Sequence, residues 1–176
     1  ELAGLIEFLE GIAGHRLALE RLEENLDYSR QMIALSLELD EMRKSSPSPL
    51  SNRRIYQLLF INWLYAGSRE AVQFYQAVRD EARSQARAAA PEKVRLLSLF
   101  VAPNYAWKLL DWLEREHGAR IVADPYHCHW GEWEFDGGDP LRSLARKMLA
   151  TPACRQLHGP ATEFIHDCIE DVRDNR

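Results

Sequence analysis

Between Ala119 and Pro140 the sequence reads ARIVADPYHCHWGEWEFDGGDP, a run that holds Asp124, His127, Cys128, His129, Glu132, Glu134, Asp136 and Asp139. In an extended segment His127 and His129 point to the same side, so with an outlying carboxylate they have the chemistry to share a metal ion. Structural zinc sites usually come as two separated ligand pairs, and neither CxxC nor HxxxH occurs here. Cys128 is also a candidate nucleophile, because the thiolate is the reactive species and a neighbouring imidazolium lowers the thiol pKa. No Asn or Asp is placed to orient a base. Metal ligation, thiol chemistry and ordinary loop hydrogen bonding all stay open at His127, Cys128 and His129. The acidic residues Glu132, Glu134, Asp136 and Asp139 lack the spacing of a calcium loop and fit a solvated face, with Asp139 acting as a helix cap. Trp130, Trp133 and Phe135 fit core or interface positions.

The elements that must position this run follow from periodicity. Leu2, Leu5, Ile6 and Leu9 predict a short helix punctuated by Gly11 and Gly14, and a long one spans Ala18 to Arg43. Ser45-Ser46-Pro47-Ser48-Pro49 breaks the chain. Asn52 is the expected N-cap of a helix from Arg53 to Ala66, apolar nearly all round and so expected to be buried. Gly67 ends it, and Ser68 caps a helix from Arg69 to about Ala90, stopped by Pro91. Val94 to Ala102 reads as a strand buried on both faces. A helix from Ala106 to His117, Gly118 as its terminator and a strand from Arg120 to Asp124 complete a βαβ unit. Asp139 and Pro140 open a helix to about Leu149, and a last helix near Ala161 to Val172 sets Phe164, Ile165, Cys168, Ile169 and Val172 on one face. The fold class is therefore α/β: a helix-rich N-terminal half, then a βαβ unit with a small, parallel, Rossmann-like sheet. Residues 1–50 are expected to form a helical extension and 51–176 a helix-rich α/β domain. In open α/β sheets ligands bind where loops leave the carboxyl ends of strands, which puts the Asp124–Asp139 run at the expected site.

Composition narrows the function classes. The apolar fraction is 46% and the charged fraction 28%, as in ordinary globular proteins. Acidic residues outnumber basic ones 27 to 22, and no basic block offers a footprint for nucleic acid. No apolar run reaches the roughly 20 residues of a membrane helix, so a cytoplasmic protein without nucleic-acid or membrane partners is expected. Three irregularly placed cysteines, Cys128, Cys154 and Cys168, fit reduced thiols better than a disulfide framework. The chain begins at Glu1 without a Met, which suggests processing or a piece of a longer protein.

The segments FLEGIAGHRLALERLEENLDYSRQM, ELDEMRKSSPSPLSN, VRLLSLFVAPNY, EHGARIVADPYHC and GDPLRSLARKML, in this order and spacing, resemble the cluster-bearing subunits of the 2-hydroxyacyl-CoA dehydratase and benzoyl-CoA reductase family. The resemblance covers nearly the whole chain and marks it as the central part of such a subunit. It implies radical chemistry on CoA thioesters. An ATP-dependent activator protein supplies an electron to a 4Fe-4S cluster held by cysteine thiolates, and a sister subunit completes a heterodimer. The cluster belongs to the full-length parent, and the fragment itself is expected to bind none and to be inactive in isolation. Cys128 matches a family cysteine after the second strand and would face cluster and substrate. The family's usual glycine and arginine after it are replaced by His129, Trp130, Gly131 and Glu132. Arg53, Arg54 and Arg142 are cationic candidates for the CoA phosphates. A noncatalytic assembly protein on the same scaffold, and a self-contained metal or thiol enzyme at His127, Cys128 and His129, are the alternatives.

Overall fold

The computed structural model describes residues 2–97, 107–124, 133–150 and 161–174. Among these, seven helices and two strands follow in the order α1 (Leu2–Ala13), α2 (Leu19–Lys44), α3 (Asn52–Tyr65), α4 (Arg69–Gln85), β1 (Val94–Leu97), α5 (Trp107–His117), β2 (Ala119–Ala123), α6 (Pro140–Ala150) and α7 (Ala161–Asp174). The helix-rich α/β class with a small parallel sheet is the observed one. β1 and β2 pair in parallel with Val94 opposite Ala119, and the register shifts between Leu96 and Leu97.

The core lies between the helices of the N-terminal half and the inner face of the βαβ unit. Met32 and Leu39 from α2 meet Ile55 and Leu59 from α3, Tyr75 and Val78 from α4, Leu110 from α5 and Ile121 from β2. α2 is the spine, packing most extensively on α4 and also reaching β2 and α6. The α3–α4 turn comes so close to α2 that a Cβ at Gly67, where φ is +86°, would lie 3.1 Å from the Asn25 carbonyl. A side chain there would be crowded and would strain the backbone.

Several boundaries differ from those read in the sequence. Ser51, not Asn52, caps α3, its Oγ accepting from the Arg54 N–H at 3.2 Å. Ser51 has the extended backbone a cap needs, and Asn52 is already helical. α3 is not buried all round, since its end exposes Trp63 and leaves Leu64 72% accessible, while Ile55, Tyr56 and Leu59 face the core. α4 stops at Gln85 rather than Ala90. Its buried stripe ends at Ala82, the residue before Pro91 resists helix, and propensity alone does not carry the helix past its last packed turn. β1 is described only to Leu97, and it is exposed at Val94 and half-buried beyond, not enclosed on both faces.

One side chain joins the helical half to the sheet. Asn52 is 0% exposed, its Nδ2 donates to the Ala119 carbonyl at 2.9 Å and its Oδ1 accepts from the Ile121 N–H at 2.8 Å. The Gly118 carbonyl accepts from Lys93 and Val94 on the β1 side. Backbone groups alternate along a strand, so Asn52 occupies the opposite, outer edge of β2, where a third strand would lie. Glu114 Oε2 accepts from the Asn52 N–H at 2.9 Å while its Oε1 pairs with Arg120, whose guanidinium also donates to the Leu50 carbonyl.

Replacing Asn52 by Ala leaves a buried carbonyl and a buried N–H without partners, at roughly 1–3 kcal/mol each. The expected loss in chemical denaturation is about 3 kcal/mol. Asn52→Asp should be no rescue, because a carboxylate cannot donate to Ala119 and stands next to Glu114; wild-type stability in either variant contradicts the role.

Candidate functional site

The candidate site lies off the carboxyl ends of the two strands. Arg95, at the start of β1, donates to the carbonyl of Lys44 at the C-terminus of α2. The segment after β2 meets the other half of the same helix, near Glu23, Ser29 and Arg30. α2 thus runs antiparallel to the strands and forms one wall beyond their carboxyl ends. β2 delivers Asp124, 2% exposed, to this edge. His127, Cys128 and His129 lie outside the described residues, as do Trp130, Glu132 and Cys154.

From Trp133 onward the rim is described. Trp133 packs against the core, and its ring stands edge-on to Phe135 with centroids 6.0 Å apart. Arg30 covers the Phe135 ring at 6.0 Å. The Trp133 indole N–H is enclosed without an acceptor among the described residues. The described carboxylates take structural and surface roles. Glu134 pairs with Arg146 at 2.6 Å, Asp136 Oδ1 accepts from the Gly138 N–H, and Asp139 Oδ1 accepts from the Arg142 N–H as the cap of α6. Ser143, fully buried, accepts from the Asp136 N–H and donates to the Asp136 carbonyl, fastening the rim to α6.

The remaining sequence candidates fall elsewhere. Arg53 pairs with Asp111 on α5 and lies over Trp107, and Arg54 pairs with Glu81 on α4 and donates to Gln57 within α3, so both guanidiniums make inter-helix contacts. Arg142 stands beside a groove between α1 and α6. Cys168 is half-buried on α7, whose Ile165, Ile169 and Val172 are exposed. Among the described residues no three His, Cys, Asp or Glu side chains come together to hold a metal, and no helix is long and apolar enough to cross a membrane.

Sequence reasoning missed Lys147 and Ser29. Lys147 Nζ donates to Ser29 Oγ at 2.9 Å across the α2–α6 contact, and burial holds its ammonium below the usual lysine value. Lys147 is four residues from the buried Ser143, hence on the same helix face. A signal was present in that spacing, but polar residues on a helix are ordinarily read as its outer side.

With this geometry in place, comparison with known proteins is decisive at the level of family. The family model described as 2-hydroxyglutaryl-CoA dehydratase, D-component, matches residues 1–176. The chain belongs to this family. No curated protein and no solved structure matches it. The family assignment agrees with the resemblance carried by the five sequence segments, and the D-component description implies partner subunits.

Lys147 sets a pH dependence. Its folded-state pKa lies below its unfolded value, so the unfolded chain holds the proton more tightly and the amine opposes folding wherever both forms are charged. That opposition is relieved as pH rises through the folded pKa toward the ordinary lysine value of 10.5. Denaturation midpoints of Lys147→Met, compared with wild type from neutral pH upward, should lack this alkaline rise; parallel curves contradict it.

Proposed function

We propose that this chain is the scaffold of a subunit of a 2-hydroxyacyl-CoA dehydratase type enzyme acting on CoA thioesters, and that it works in the cytoplasm. The match of the family model across residues 1–176 carries the reading. The βαβ unit supports it, since the carboxyl ends of its two parallel strands lie at one edge, the usual place for a ligand in such sheets. Apolar surface supports membership in a larger assembly. α1 buries no residue and exposes Leu5, Phe8, Leu9 and Ile12, and Trp63, Leu64 and Trp112 stand open on α3 and α5.

The family's chemistry, as the resemblance implies it, is low-potential electron transfer from an ATP-dependent activator by way of a 4Fe-4S cluster to the substrate thioester. Cysteine thiolates hold such a cluster; of the chain's three cysteines only Cys168 lies among the described residues, which bring together no metal-ligand group. The described part does not fit a cluster site by itself, so no step is assigned to it. What the described residues do is structural. Asn52 fixes β2, β2 delivers Asp124 to the edge, and Ser143, Asp139 and Arg146 hold the returning segment against α6. Cys128, after β2, is the residue assigned to face the reacting thioester.

Cys128→Ser in the assembled enzyme is expected to reduce turnover on the order of 10- to 100-fold, the range for residues that support a metal or reacting centre. Turnover on 2-hydroxyacyl-CoA substrates and iron and sulfide content should be measured together. Unchanged values of all three would make the subunit a noncatalytic scaffold.

A further inference from the structure

Lys44 and Lys147 are both half-buried, yet their amines are held by different chemistry. Burial works against the charge of Lys44, but the carboxylates of Asp40 and Glu41, at 3.0 and 3.1 Å from its Nζ, outweigh it and raise the pKa. Lys147 Nζ donates to a hydroxyl instead, Ser29 Oγ at 2.9 Å, and burial lowers its pKa. Ser29 is 2% exposed, and its Oγ lies 3.3 Å from where a Cβ on Gly67 would stand, so the amine is tied to a fixed point between α2 and the α3–α4 turn. The next residue of α2, Arg30, covers Phe135 of the rim. The amine therefore stands at the sheet edge proposed above for the thioester.

We propose that Lys147 is a modification site, acylated on Nζ by a CoA thioester bound at this edge; the inference rests on the function proposed above. A lysine becomes a nucleophile when desolvation favours its neutral form. The ammonium first gives a proton to water. Its nitrogen then attacks the thioester carbonyl carbon, the C–N bond forms and the C–S bond breaks, and the surplus proton on nitrogen leaves with the CoA thiolate. Thioester and ammonium thus become amide, CoA thiol and one released proton, with no change of oxidation state. The amide is neutral, so the modification trades the Lys147 charge for an acyl group where α6 meets α2.

Acetylation of the assembled, unsubstituted enzyme, followed residue by residue with peptide mass spectrometry, tests this. With acetyl-CoA, Lys147 should be modified several-fold faster than the exposed Lys93 and Lys108 of the same chain, and excess free CoA should suppress that lead. A lead that free CoA leaves intact overturns the inference, because the thioester is then not bound at the edge. A parallel reaction with sulfosuccinimidyl acetate, which needs no CoA site, separates reactivity from binding. A Lys147 lead with this reagent but not with acetyl-CoA means a reactive amine that no thioester reaches, which overturns the inference and counts against the CoA reading of the edge. No lead with either reagent overturns the inference alone.

Discussion

The outer edge of β2 is the constraint on which the rest of this structure depends. Two parallel strands rarely suffice as a sheet on their own, and an open edge leaves backbone donors and acceptors to be satisfied. The chain meets both demands with the carboxamide of Asn52, which offers one donor and one acceptor at peptide-like spacing to Ala119 and Ile121. Because Asn52 is also the first residue of α3, the same contact fixes where the helical half begins relative to the sheet. Glu114 adds a carboxylate at the α3 N-terminus, where the helix dipole favours negative charge.

From that junction the site edge follows. α2 lies antiparallel to the strands, so one end of it secures the start of β1 through Arg95 and the other receives Phe135, Gly137 and Lys147 beyond the carboxyl end of β2. The rim is held by backbone hydrogen bonds to Ser143 and by the Asp139 cap. These contacts form a frame at the carboxyl ends of the strands, the part that packed elements usually play for the segments they connect.

Much of the architecture was legible locally. The helices announce themselves by apolar spacing, Gly67 and Gly118 terminate helices with positive φ, and Ser68 and Asp139 cap as their types require. What was not legible depends on partners far along the chain. Ser51 and Asn52 are both good capping residues, and only the position of β2, 67 to 69 residues away, decides that Ser51 caps and Asn52 pairs with a strand. The exposed end of α3 looked like core because composition reports apolarity, not what covers it. Lys147 and Ser29 escaped notice because a polar pair across two helices has no local signature. The family was legible from ordered segments spread along the chain, a longer-range signal than any single motif.

Hydrogen exchange at the Ile121 amide tests the central arrangement most directly. This N–H faces the side of β2 away from β1, and its acceptor is Asn52 Oδ1. If the carboxamide stands in for a strand, the Ile121 amide should exchange as slowly as amides in the packed turns of α2 and α4, opening only with the whole fold. Exchange at the rate of a solvent-exposed edge amide would contradict the arrangement.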